Sequence, residues 1–231
     1  MSSQLNDNRQ LWEEFYHDQD TRPFDEWGFP HFSSTKIILR KKPAQLLDLQ
    51  QKINQHWENI SKLRTGALNE KLYATSSHQD LDYDKNTLII RAYETDFATL
   101  LLKLGKEGLT AAESEFFDTK MMFLGISGLI VARHTPSVDS YLAGQVARSS
   151  IKQGLWESVP QGFVPYGLHE EEDPFRKALE KELQQETGLD LPDFQSAAPW
   201  GLNLCPRAGN GTLIYVLPLT EPLSTKIKSS P

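Results

Sequence analysis

Apolar and polar residues alternate along this chain with two different periods. Aliphatic and β-branched residues run together at 37–39 and 88–92, which predicts short strands. Leu46, Leu49, Ile53 and Trp57 recur at helical spacing behind Pro43, a residue suited to a first helical position, so a helix is predicted to open there. Thr95 or Asp96 is placed to cap a second helix ending near Gly105. Residues 107–119 read as a polar connection with room for a helical turn.

The pattern changes at Lys120. Residues 121–132 form the most apolar run, too short to span a bilayer and broken by Gly125, Ser127 and Gly128, and 121–133 read as a long buried strand. Residues 139–153 read as loop with some regular structure, and 156–159 as a short strand closed by Pro160. A loop rich in Gly, Pro and acid follows at 162–172. Residues 174–187 read as a helix and 211–219 as another strand. Such an order is mixed α/β. It divides into an N-terminal α/β region at 1–118 and a second unit at 119–231. Residues 1–35 carry Trp12, Phe15, Tyr16, Phe24, Trp27, Phe29 and Phe32, an aromatic content that implies packing rather than a free tail.

Composition narrows the function classes. With 39% hydrophobic and 24% charged residues, the chain falls outside the disordered, collagenous and membrane classes. A net charge of -7, with neither a basic patch nor a convincing helix-turn-helix, argues against nucleic acid and anionic membranes as partners. Cys205 is the single cysteine, so no intrachain disulfide or cysteine-based zinc site can form, and a reducing compartment such as the cytoplasm is expected. No Walker-type loop, dinucleotide fingerprint or Ser/His/Asp arrangement is identifiable.

The candidate chemistry lies on the 174–187 helix. Asp173 can N-cap it, Pro174 fits its first position and Gly188 fits the left-handed stop. Glu182 and Glu186 are four residues apart and stack on one face, with Gln185 on the same side, while Phe175, Leu179 and Leu183 form an adjacent apolar stripe. Two carboxylates on a rigid helix suit Mg²⁺ or Mn²⁺, which take oxygen ligands and keep waters for substrate phosphates. Spacing alone more often marks a solvated acidic face.

Gly167, Asp173, Lys181, Glu182, Leu183, Gln185, Glu186, Gly188 and Leu189 fall in the frame of the Nudix hydrolase signature, which the chain therefore resembles. Six of the nine match strictly; Asp173 and Lys181 are conservative replacements and Gln185 is a departure. The flanks are similar too: 123–133 resembles the family's first long strand, 156–162 its short strand and turn, and 212–217 a later strand. Either Gly162 or Gly167 can stand for the signature glycine.

The resemblance implies a mixed sheet sandwiched by helices and hydrolysis, with Mg²⁺ or Mn²⁺, of a nucleoside diphosphate linked to another group. Glu186 would be the main metal ligand, and Glu182 a second ligand or the base that activates water. Lys181 stands for an arginine that orients that glutamate, keeping the charge without the planar fork. Asp173 stands for a glutamate reaching the metal through water, and Gln185 for a carboxylate whose charge is lost. Arg133 could touch substrate phosphate. The layout before residue 115 loosely resembles Nudix proteins acting on UDP-sugars, which suggests a nucleotide-sugar class. Lys181, Asp173 and Gln185 also fit a second reading, a catalytically inactive nucleotide- or protein-binding module. The family continues past its last strand into a covering helix, whereas 220–231 is short and polar; a missing layer would favour association, a homodimer being the simplest form.

Overall fold

The computed structural model describes residues 25–28, 36–43, 49–63, 68–76, 80–84, 87–106, 108–135, 138–141, 143–145, 156–170, 173–194, 197–205 and 210–219. The fold is mixed α/β, with twelve strands and four helices among these residues. In chain order the strands are β1 (Asp25–Gly28), β2 (Lys36–Lys41), β3 (Lys71–Thr75), β4 (Leu81–Asp84), β5 (Thr87–Asp96), β6 (Met122–Thr135), β7 (Val138–Tyr141), β8 (Ala143–Gln145), β9 (Trp156–Ser158), β10 (Gln161–Phe163), β11 (Ala198–Cys205) and β12 (Asn210–Pro218). The helices are α1 (Gln50–Leu63), α2 (Phe97–Gly105), α3 (Ala111–Lys120) and α4 (Pro174–Thr187).

Ten strands form one sheet with the order β1-β11-β12-β6-β3-β5-β2; β10 and β7 also pair β6, and β4 pairs β5. The β12–β6 and β2–β5 pairs are parallel, and the others are antiparallel. The sheet runs across the expected boundary at 118–119, because β3 from the N-terminal region is hydrogen-bonded to β6.

Alternation along β3 and β6 decides which layer packs where. Tyr73, Met122, Leu124, Ile126 and Ile130 point to one side and share a core with Phe175, Ala178, Leu179 and Leu183 of α4. Leu72, Ala74 and Phe123 point to the other and meet Ile53 of α1, Ala98, Leu100 and Leu102 of α2, and Phe117 of α3. A period of two in the strands thus lets one sheet carry helices on both faces.

Several sequence expectations shift. Pro43 itself is not helical; the described helix begins at Gln50, and the 44–48 stretch of the expected helix lies outside the described residues. Residues 107–119, read as a connection, contain α3, whose N-terminus carries a capping box: Glu113 N–H donates to Thr110 Oγ1 at 3.3 Å, and Thr110 N–H donates to Glu113 Oε2 at 2.7 Å. The expected loop at 162–172 begins as strand β10 and then forms a 3-10 turn at Tyr166–Glu170. β11 carries no expectation from the sequence. Trp12, Phe15, Tyr16, Phe24, Phe29, Phe32 and the 220–231 segment lie outside the described residues. Among the described residues no helix is long and apolar enough to cross a membrane.

Candidate functional site

Helix α4 forms where its sequence dictates. Asp173 Oδ1 accepts the Arg176 N–H at 2.9 Å, Pro174 occupies the first turn, and Gly188 closes the helix at φ 70° with its N–H on Gln184 O at 3.1 Å. Phe175, Leu179 and Leu183 are fully buried against the sheet and fix the helix's rotation. That rotation brings Glu182 and Glu186 to the edge of α4 that faces β10.

β10 receives both carboxylates. Gly128 N–H donates to Pro160 O at 2.7 Å and Val164 N–H to Leu124 O at 2.9 Å, so the antiparallel ladder alternates and Gln161 N–H turns away from β6. Glu186 Oε2 accepts that N–H at 3.0 Å. The neighbouring Glu182 carboxylate lies on the Cα of Gly162, where a Cβ would fall 2.5 Å from its Cδ and 2.6 Å from its Oε1. Only glycine permits this approach. Nothing lies within 4 Å of the Cβ position at Gly167, which is exposed. Of the two candidate glycines, Gly162 is therefore the one in contact with the carboxylates.

The electrostatics follow from this packing. Burial lifts the Glu182 carboxyl above its ordinary range; the adjacent Glu186 charge and Glu70, just before β3, push the same way, and Lys181 opposes them. Glu70 and the Gln161 N–H are the two contributors that the sequence did not reveal. The first arrives from far away in the chain, and the second is a backbone group with no side-chain signal.

The remaining candidates are placed as follows. Asp173 caps α4, and helix rise puts it about 14 Å from Glu182 along the axis. Its carboxyl is raised, first by burial, with the Arg176 N–H opposing. Lys181 and Gln185 are exposed on α4. Arg133 belongs to β6 opposite Asp139, and its side chain lies outside the described residues.

Compared with known proteins, the chain matches no family model and no curated protein.

Among the described residues, no group of three or more His, Cys, Asp or Glu side chains is arranged to hold a metal ion. Two like-charged carboxylates on one helix edge, one of them partly desolvated, nevertheless fit a Mg²⁺-type ion that draws its other ligands from water and substrate phosphate. Glu182 and Glu186 are the residues that would hold it.

Proposed function

We propose that the chain is a Nudix-type, divalent-metal-dependent hydrolase that cleaves the pyrophosphate bond of a nucleoside diphosphate derivative, nucleotide sugars being the first class to try. The reading rests on the resemblance of 120–220 to that family. One observation carries it: Glu182 and Glu186 are held side by side on β10, one against Gly162 and the other on Gln161 N–H. The mixed sheet, with α4 on one face and α1, α2 and α3 on the other, also supports the reading.

When bound, the metal would neutralise pyrophosphate oxygens and polarise a water. The chain's own contribution is positional and basic. Gln161 N–H holds the Glu186 carboxylate beside β10. Glu182, with its proton affinity raised by burial and by its neighbour, is suited to take the proton of an attacking water. Lys181 tempers the negative field around Glu182 without neutralising it.

The test is phosphate release from nucleoside diphosphate sugars, dinucleotides and nucleoside triphosphates with Mg²⁺ or Mn²⁺. Turnover of one class, abolished in Glu186→Gln, is the expected result. A folded protein that turns over nothing with either metal would sink the enzyme reading. The binding-module reading would then stand, favoured by the absence of a third acidic or histidine ligand at the pair among the described residues.

A further inference from the structure

The two carboxylates are only as well placed as β10, a three-residue strand with one partner strand, β6. What fixes β10 is a set of contacts outside the α4 helix. The Ser127 and Ser158 hydroxyl oxygens are 2.7 Å apart, one donating to the other, and tie the end of β9 to the middle of β6. One residue further along β6, Gly128 donates its N–H to Pro160 O at 2.7 Å. Gly128 also has no room for a side chain: a Cβ there would fall 2.6 Å from Pro160 Cδ and 2.9 Å from Leu217 Cδ1. Pro160 is buried on this spot and leads directly into Gln161 and Gly162. The chain thus runs from the hydroxyl pair, through the seated proline, to the N–H and the Cα that touch Glu186 and Glu182.

We propose that Ser127, Gly128 and Ser158 form a latch that positions Glu182 and Glu186 for divalent-metal binding, an inference that rests on the hydrolase reading above. None of the three touches the carboxylates; each acts through β10, so they are positioning residues. The hydroxyl pair has an ordinary O–H···O length and is partly shielded from water, a setting in which a hydrogen bond is stronger than in bulk solvent. The glycine fixes depth: any side chain at 128 lifts Pro160 off the sheet and carries the strand with it. Supporting groups of this kind change metal affinity by about 10- to 100-fold when removed.

The experiment uses the full chain and two readouts. Mn²⁺ affinity is measured by titration on wild type, Ser127→Ala, Ser158→Ala, Ser127→Thr and Gly128→Ala. Hydrogen exchange at the Gln161 amide is followed in the same proteins. Ser127→Ala and Ser158→Ala, which introduce no clash, are expected to weaken Mn²⁺ by about tenfold and to speed Gln161 exchange, with exchange elsewhere unchanged. Ser127→Thr, which keeps the hydroxyl, is expected to restore both. Gly128→Ala should be worse than either serine variant if it folds; the serine variants decide the matter if it does not. Wild-type turnover and Mn²⁺ binding left untouched by the serine changes would overturn the latch while leaving the hydrolase reading intact. No Mn²⁺ binding by wild type would overturn both, and Gln161 exchange would then show only that the latch holds a strand.

Discussion

Asp80 and Glu182 are both partly buried carboxylates, and the fold treats them in opposite ways. Asp80 takes the Lys42 ammonium, the Ser76 N–H at 2.8 Å and the Thr75 hydroxyl at 3.2 Å. Lys42 in turn donates to Ser76 Oγ at 2.7 Å and lies over the Tyr93 ring. Burial alone would raise the Asp80 carboxyl, but these partners outweigh it and hold the group below its ordinary range. Glu182 has burial and Glu186 against it, with Lys181 as the weaker opposing influence, and is pushed up. The first site is electrically complete: its charge is spent on closing the β3–β4 connection. The second concentrates like charge at a helix edge. Clusters that shift proton affinities without compensating them are where binding and catalysis are most often found.

Four changes would break or sharpen this contrast. The largest effect is expected from Gly162→Ala. Its Cβ would overlap Glu182, and a displacement near 1 Å in such a site costs about 100-fold in rate. Turnover and Mn²⁺ affinity should collapse together while circular dichroism stays native; an alanine variant of full activity would show that the Glu182–Gly162 contact is irrelevant.

Asp80→Ala comes next, because it strands the Lys42 charge in a partly buried place. A loss of about 2 kcal/mol in urea unfolding is expected, with little change in Mn²⁺ affinity. If metal affinity fell instead, the two sites would be coupled and the contrast would fail.

The pH dependence separates the two groups by sign. Asp80 has a lowered proton affinity in the folded state, so its contribution is present above the ordinary aspartate value of 3.8 and is lost as pH falls through its folded value. Glu182 has a raised affinity, so its ionised form penalises the fold near neutrality, and the penalty disappears as pH falls through its folded value towards 4.5. Glu182→Gln should therefore melt slightly higher than wild type at pH 7, by less than about 1 kcal/mol after solvent screening, and should match it near pH 4.5. A lower melting temperature at pH 7 would reverse the assignment.

The smallest change is expected from Gln185→Glu. It adds a carboxylate at an exposed position beside the pair, and titration should show Mn²⁺ binding tightened by about threefold. Unchanged affinity would place residue 185 outside the ion's reach.

Much of α4 was legible in the sequence. The cap at Asp173, Pro174, the stripe of Phe175, Leu179 and Leu183, and the stop at Gly188 are all local signals, and the helix occupies the predicted 174–187 span. β6 and β12 were legible for the same reason, since largely apolar runs of that length leave few alternatives. α3 was not, because its sequence has little one-sided apolar character and its start depends on the Thr110 and Glu113 box, a weaker signal. β11 was missed as well; Pro199 and Gly201 are poor strand formers, and pairing with β1 and β12 makes the segment a strand.

The sequence by itself determined that Glu182 and Glu186 share a helix face, because 3.6 residues per turn is a property of the chain alone. Which backbone they meet was decided only by tertiary structure. Gly162 and Gly167 look equally open on paper, and it takes the β10–β6 register and the seat of Pro160 on Gly128 to bring one of them under a carboxylate. Close approach depends on atoms distant in sequence arriving at the same point, and no local pattern records that.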